Sequence, residues 1–295
     1  KTQATLHQKK LSIEKVFNNL RKLADLVGSG TVEKKTQLIA ELLTSATPLE
    51  AKYITRSVLS QMRIGVGEGS LRDAITWAFF NDKIKLKYNK PEKSIEIEDR
   101  ETYNKYIDAV QRAYDLSNDF GTVSETAKTK GLKGLKNIKL KVGIPIKVML
   151  AIKAETIEDA FETVSTPAEA EFKYDGFRIQ AHKHNDKVTL FTRRLENVTA
   201  QFPEIVDYVK NNIKASEAII DCEAVGFDPK TKKHLPFQNI SQRIKRKYDI
   251  EKIAKTLPVE LNVFDIIYHN GKNLIDEPFK DRKKILQKII KQEPK

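Results

Sequence analysis

The sequence predicts a multidomain chain with two folds in series: an all-α first part, residues 1–140, and an α+β, mainly antiparallel second part, residues 141–295. Three observations lead there. Apolar residues recur at helical spacing through most of the first part. A stretch rich in lysine and glycine then breaks the pattern between Lys128 and Lys147. From Glu171 onward the chain turns to short β-rich runs joined by turn residues, the pattern of an antiparallel sheet with covering helices. With 295 residues, 40% of them hydrophobic and 32% charged, the chain can bury two cores and is not of disordered composition.

Taken in order, Leu11, Val16, Leu20, Leu23 and Leu26 share one helical face. Thr47-Pro48-Leu49-Glu50 is a helix start, with Thr47 as cap, Pro48 in the first turn and Glu50 closing a capping box. That helix is expected to run towards Met62 and stop near Gly65. Leu71, Ala74, Ile75, Ala78 and Phe79 mark another amphipathic helix, and Tyr103 to Leu116 a further one. Between Lys128 and Lys147, seven lysines occur without an acidic residue, and Gly131, Gly134, Gly143 and Pro145 are expected to break helices. This stretch reads as the end of the first domain and a linker. It is either a solvated connector or a strip that tracks phosphates. Glu171 to Ala181 and Lys187 to Phe191 read as a hairpin turning at His184-Asn185-Asp186. Ala218 to Phe227 and Val259 to Tyr268 read as strands, and Ile157 to Val164, Glu204 to Asn211 and Arg282 to Ile290 as short helices.

Lys and Arg outnumber Asp and Glu by 53 to 40, a net charge of +13 that suits a polyanionic partner but also a merely soluble surface. Cys222 is the one cysteine, which excludes an internal disulfide and a cysteine-built zinc site and fits a reducing compartment, with cytoplasm expected. No apolar run approaches the roughly 20 residues of a membrane span, and no signal-peptide pattern opens the chain. Because the first residue is Lys, the start is expected to be trimmed.

The chemistry centres on Lys173-Tyr174-Asp175-Gly176, expected at the end of a strand. A lysine amine can act as a nucleophile when its surroundings disfavour the cation, and a glycine allows a tight turn beside a ligand. With three fixed positions the motif alone also fits an ordinary hairpin corner. Its company is more specific. Arg178 and Arg193 could serve a triphosphate. Asp221 and Glu223 share a strand face and offer a carboxylate for Mg²⁺, and Phe264 could stack on a base. Taken singly, the arginines also read as surface charges, Glu223 as a paired acid and Phe264 as core.

In this order the motifs resemble those of ATP-dependent DNA ligases of the archaeal and eukaryotic replicative type, members of the covalent nucleotidyltransferase superfamily. Glu171-Phe172-Lys173-Tyr174-Asp175-Gly176-Phe177-Arg178 resembles the motif bearing the adenylated lysine. Phe191-Thr192-Arg193, Asp221-Cys222-Glu223-Ala224-Val225 and Val263-Phe264-Asp265-Ile266-Ile267-Tyr268 resemble those that follow, with Cys222 where the family usually has Gly. Pro236-Phe237-Gln238 and Arg243 are similar too. In the first half, Met62-Arg63-Ile64-Gly65-Val66-Gly67-Glu68 resembles the loop by which the family's helical DNA-binding domain meets the duplex backbone, and Gly143 to Ala151 the entry to the catalytic domain.

The resemblance implies a helical DNA-binding domain in residues 1–140 and the first part of an adenylation (nucleotidyltransferase) domain in 141–295. Lys173 would be the catalytic nucleophile. Glu171, Lys173, Arg178, Arg193, Glu223 and Phe264 would bind the nucleotide, with Glu171 reading the adenine amino group. Glu223 would also serve the metal, and Arg63, Gly65 and Gly67 would contact DNA. ATP and Mg²⁺ are the implied cofactors, nicked duplex DNA the substrate, a sliding clamp a candidate partner and a monomer the expected state, nuclear in a eukaryote. After Asp265 the family's E-G-x-x-x-K motif, its lysine-rich motif and an OB-fold domain are missing, so the adenylation domain is expected to be incomplete and sealing by this chain poor. The alternatives are a DNA-binding fragment without sealing activity, or a related RNA ligase or capping-type nucleotidyltransferase. The helical first half argues against the latter two.

Overall fold

In the computed structural model, which describes residues 10–26, 30–59, 61–63, 65–149, 151–246 and 248–292, the apolar stripe near the start closes into helix α1 (Ile13–Asp25). Ser12 caps it by accepting from the Lys15 amide at 3.2 Å. Leu11, Val16, Leu20, Leu23 and Leu26 are its partly buried residues, as their spacing predicts. Helix α2 (Thr31–Ser45) packs on it around the fully buried Leu42, and the buried Asn19 side chain donates to Glu41 (2.8 Å) and to the Leu38 carbonyl (3.3 Å). Helix α3 (Pro48–Val58) starts at the expected capping box: the Glu50 amide donates to the Thr47 hydroxyl (3.3 Å) and the Thr47 amide to the Glu50 carboxylate (2.8 Å).

That helix ends at Val58, short of the expected Met62. The Gln61 amide turns back to the Arg56 carbonyl at 2.8 Å, the Arg56 guanidinium reaches the Met62 carbonyl at 3.3 Å, and Arg63 takes a left-handed φ of 47°. These local bonds end the helix before the first glycine is reached. Ile64, within the expected DNA loop, lies outside the described residues, as do Leu150 and the three terminal residues 293–295.

The chain divides into two compact units between Glu68 and Gly69. Helix α4 (Glu68–Ile84) opens the second, and its buried residues are Ile75, Thr76, Phe80 and Ile84. The expected face therefore overlaps the buried one only at Ile75, while Leu71 and Phe79 stay 41% and 36% exposed. The reason is tertiary: Phe80 packs against Tyr106 (ring centroids 4.8 Å apart), and Ile84 joins Val110, Ala113 and Val123 in one cluster. An antiparallel hairpin of β1 (Leu86–Asn89) and β2 (Ser94–Ile97) interrupts the expected all-helical part. Helix α5 (Arg100–Ser117) begins at an Asp99 cap.

Helix α6 (Phe120–Lys136) runs well into the expected linker. Gly131 alone leaves helical geometry there (φ 58°, ψ −155°), which produces a kink. Gly134 stays within the helix, where a Cβ would lie 2.3 Å from the Lys130 Cβ and 2.9 Å from Thr126 Cγ2, so its role is close packing and not a break. The remaining connector is anchored to the sheet. Leu140 and Ile146 are buried with Leu116, Ile219 and Ile267, the Gly143 amide donates to His182 Nδ1 (2.9 Å) and the Ile146 amide to Gln180 Oε1 (2.9 Å). This shared core lies within the second compact unit, Gly69–Lys295. All seven lysines of the strip are exposed.

Helix α7 (Ile157–Val164) carries a Thr156–Asp159 capping box. Then β3 (Phe177–His184) and β4 (Lys187–Thr192) form the expected hairpin, turning at Asn185 (φ 51°) and Asp186. Next come α8 (Pro203–Asn212), β5 (Glu217–Gly226), α9 (Phe237–Ile244), α10 (Ile250–Thr256), β6 (Val259–His269), the two-residue β7 (Lys272–Asn273) and α11 (Phe279–Ile289). The sheet order is β4-β3-β5-β6-β7 and every pairing is antiparallel. One face carries Phe177, Ile179, Ala181, Ile220, Cys222 and Ala224 into a core closed by Ile205 and Val209 of α8, Ile240 of α9 and Leu286 and Ile289 of α11. By alternation, Arg178, Gln180, His182, Asp221 and Glu223 stand on the other face.

Candidate active site

The segment holding Lys173 is not the strand end that the sequence suggested. Pairing begins only at Phe177, opposite Ala224, and residues 170–174 carry no regular structure. Gly176 explains the crossing from loop to sheet: a Cβ there would lie 2.3 Å from the Ala224 carbonyl oxygen, so only glycine lets the chain pass so close over β5. Lys173 is left exposed on this loop, and Asp175 accepts from the Phe237 amide at the start of α9 at 3.4 Å.

Lys173 shares a cavity of about 1130 Å³ with Glu171, Glu223 and Phe264, and Glu169 and Lys283 also line it. The sheet aims two of these. Cys222 pairs with Val263 and Asp221 with Asp265, so Phe264 is the extra residue of a β-bulge between them. Bulges re-aim side chains, and this one places the ring in the cavity wall beneath Arg178, whose guanidinium carbon lies 5.4 Å from the ring centroid. Glu223 points from the central strand β5, and burial pushes its carboxyl up to about 6 against the opposing pull of Arg178 and Lys173.

Arg178 is a partner of the wall more than of the space. It bonds Asp221 through two contacts, Nε to Oδ1 at 3.1 Å and Nη2 to Oδ2 at 2.7 Å. Neither Arg178 nor Arg193 is among the cavity-lining residues; Arg193 is exposed just past the end of β4. Asp265 is paired with Arg282 (2.8 and 2.9 Å). Arg243 is fully buried. It donates to the Leu257 and Gln201 carbonyls (2.7 and 3.1 Å) and stacks over Phe202, so it braces α9 against α8 and α10. Cys222 points into the opposite, apolar core with no exposed surface, its thiol 3.0 Å from the Ile179 carbonyl. A side chain at this position packs against the core side of the sheet, which accounts for Cys being tolerated between the two acids. Lys283 is not marked by any local sequence pattern, because it lies on α11, more than a hundred residues from the lysine motif.

In the first unit, Gly65 has φ +79°, and no atom lies within 4 Å of where a Cβ would be at Gly65 or Gly67. The loop is open around both glycines.

Residues 148–295 match the family described as ATP dependent DNA ligase domain, and residues 1–76 match DNA ligase N terminus. The chain belongs to the ATP-dependent DNA ligase family. It is 50% identical over 288 residues to a DNA ligase of Nanoarchaeum equitans, covering 98% of this chain and 47% of that protein. It is 39% identical to a DNA ligase of Thermococcus fumicolans (99% and 48%) and 38% identical to one of Archaeoglobus fulgidus (100% and 48%). The chain thus spans about half the length of the curated relatives it matches.

Among the described residues of this ligase-family chain, no group of three or more His, Cys, Asp or Glu side chains forms a ready metal cage. Mg²⁺ commonly takes one or two carboxylates and completes its shell with substrate phosphates and water. Four carboxylates line the cavity, those of Glu169, Glu171, Glu223 and Glu260, and Glu223 is the one on the central strand β5. No described helix is long and apolar enough to cross a membrane.

Proposed function

We propose that this chain carries the DNA-binding and nucleotide-attaching parts of an ATP-dependent DNA ligase that seals nicks in duplex DNA. The observation that carries the reading is the single cavity that gathers Lys173, Glu171, Glu223 and Phe264. Phe264 offers a face for the adenine ring and Glu171 an acceptor for its amino group. Once its ammonium has lost a proton, the Lys173 Nζ lone pair attacks the α-phosphorus of ATP. The N–P bond forms as the bond to pyrophosphate breaks, leaving AMP on the lysine. AMP then passes to the 5′-phosphate of a nick, and the adjacent 3′-hydroxyl displaces it to close the strand. Bound Mg²⁺ would neutralise phosphate charge, with Glu223 as its protein ligand. Arg178 and Arg193 would serve the ribose, the phosphates or the nick terminus; for Arg178 this means sharing its guanidinium with Asp221.

In this reading residues 1–140 are the DNA-binding domain. Arg63, Gly65 and Gly67, with open space where side chains would stand at the two glycines, approach backbone phosphates, and the exposed lysines from Lys128 to Lys147 add charge. Nicked duplex DNA as substrate, a sliding clamp as partner, a monomeric state and a cytoplasmic setting belong to the same proposal.

The test is intact-protein mass after incubation with ATP and Mg²⁺, beside Lys173→Ala. The parent should gain one AMP and the variant none. Attachment that survives Lys173→Ala, or its absence both here and in a chain carried through its relatives' full length, would overturn the assignment.

A further inference from the structure

Lys283 is the cation most closely engaged with the base-reading end of the cavity. It stands on α11, lines the cavity and is 20% exposed. Its Nζ lies 2.6 Å from Glu171 Oε1 and 3.1 Å from Glu169 Oε1. The Phe279 ring flanks it, with Nζ 5.1 Å from the centroid. Two carboxylates that meet on one ammonium would repel each other without it. Burial opposes the Lys283 charge, but the two carboxylates outweigh it and raise the amine's pKa, so the ammonium persists. Glu171 has no other side-chain hydrogen-bond partner among the described residues.

We infer that Lys283 is a positioning residue for base selection: it holds Glu171 through Oε1 and so leaves Oε2 as a fixed acceptor for the base. The inference rests on the nucleotide reading of the cavity given above. An ionised carboxylate can only accept, so an oriented Oε2 favours a base that presents an amino group there, as adenine does at position 6. Guanine presents a carbonyl oxygen at that place, acceptor against acceptor. Without Lys283, Glu171 would turn away from Glu169, and the preference would weaken although Glu171 itself is intact.

The experiment measures binding of ATP and of GTP to the full 295-residue chain by calorimetry, alongside Lys283→Met, Lys283→Gln and Lys283→Arg, with a thermal midpoint for each. Removing the ammonium should weaken ATP binding by about tenfold, the scale of one oriented hydrogen bond to a charged group. GTP binding should change little, so that the ATP-to-GTP ratio falls, and Lys283→Arg should keep most of the ratio. Should Lys283→Met fail to fold, Lys283→Gln carries the comparison. An unchanged ratio in a folded variant overturns the inference. So does a parallel loss for both nucleotides with a lowered midpoint, which marks Lys283 as a structural anchor of α11. A parent that binds neither nucleotide fails the cavity reading itself, a result distinct from either.

Discussion

At the residue scale, Glu223 is half-buried in the cavity wall, and burial raises its carboxyl to about 6 from an ordinary 4.5. A raised acid is the reverse of the usual salt-bridged carboxylate. Between pH 4.5 and about 6 the native state binds the proton and the unfolded chain does not, so stability falls as pH rises through that window and stays reduced above it. Glu223→Gln should therefore melt at a higher temperature than the parent at pH 8, with the gap closing towards pH 5, in thermal scans without nucleotide. The same substitution should weaken the Mg²⁺ dependence of AMP attachment. A neighbouring constraint is steric: Gly176→Ala drives a Cβ into the Ala224 carbonyl and should cost about 1–3 kcal/mol in denaturant titration, the range for overpacking, and displace Lys173 with it. The lysine, its glycine and the two acids were legible in the sequence because motif spacing and strand alternation are local properties. Lys283 and the diversion of Arg178 onto Asp221 were not, because both depend on which elements meet.

At the element scale, β5 shows how one strand serves two environments. Asp221 and Glu223 face the site side while Cys222 between them is sealed in the core, where burial pushes its thiol well above the ordinary range. Cys222 should resist a thiol-specific reagent in the native protein and react fully once denatured, as an absorbance assay would show. Helix α3 offers a second test. Thr47→Ala removes an exposed but complete capping box and should lower the melting temperature of the first unit, followed by circular dichroism of residues 1–68 within the full chain. The start of α3, the whole of α7, the β3–β4 turn and strands β5 and β6 could be read from caps, turn residues and alternation. The ends of α3 and α6 could not: in one, Arg56 and Gln61 close the chain back before Gly65; in the other, Gly134 serves packing inside a helix. The hairpin β1–β2 and helices α9 and α10 are too short for periodicity to declare them.

At the scale of the whole molecule, the net charge of +13 and the exposed lysine strip would make the proposed duplex DNA binding an electrostatic matter. Affinity should fall steeply and log-linearly with salt. Replacing Lys133, Lys136, Lys139 and Lys141 by Gln should flatten the slope by roughly 0.9 for each phosphate that the strip no longer neutralises, as read by fluorescence anisotropy. A slope unchanged by all four substitutions would leave the strip a solubilising surface. The strip is not a loose tether, since Leu140 and Ile146 are buried beneath it and Gly143 and Ile146 bond to the sheet.

By itself the sequence determined the class of each half, the order of the site residues and the family they resemble, because helical and strand periods, capping chemistry and motif spacing act over a few neighbouring residues. Only the tertiary structure decided where the compact units divide, which face of α4 is buried, that Phe264 is bulged into the cavity and that Lys283 joins Glu171. Those outcomes depend on residues far apart in the chain coming together, and packing selects among faces and partners that local preference leaves equivalent.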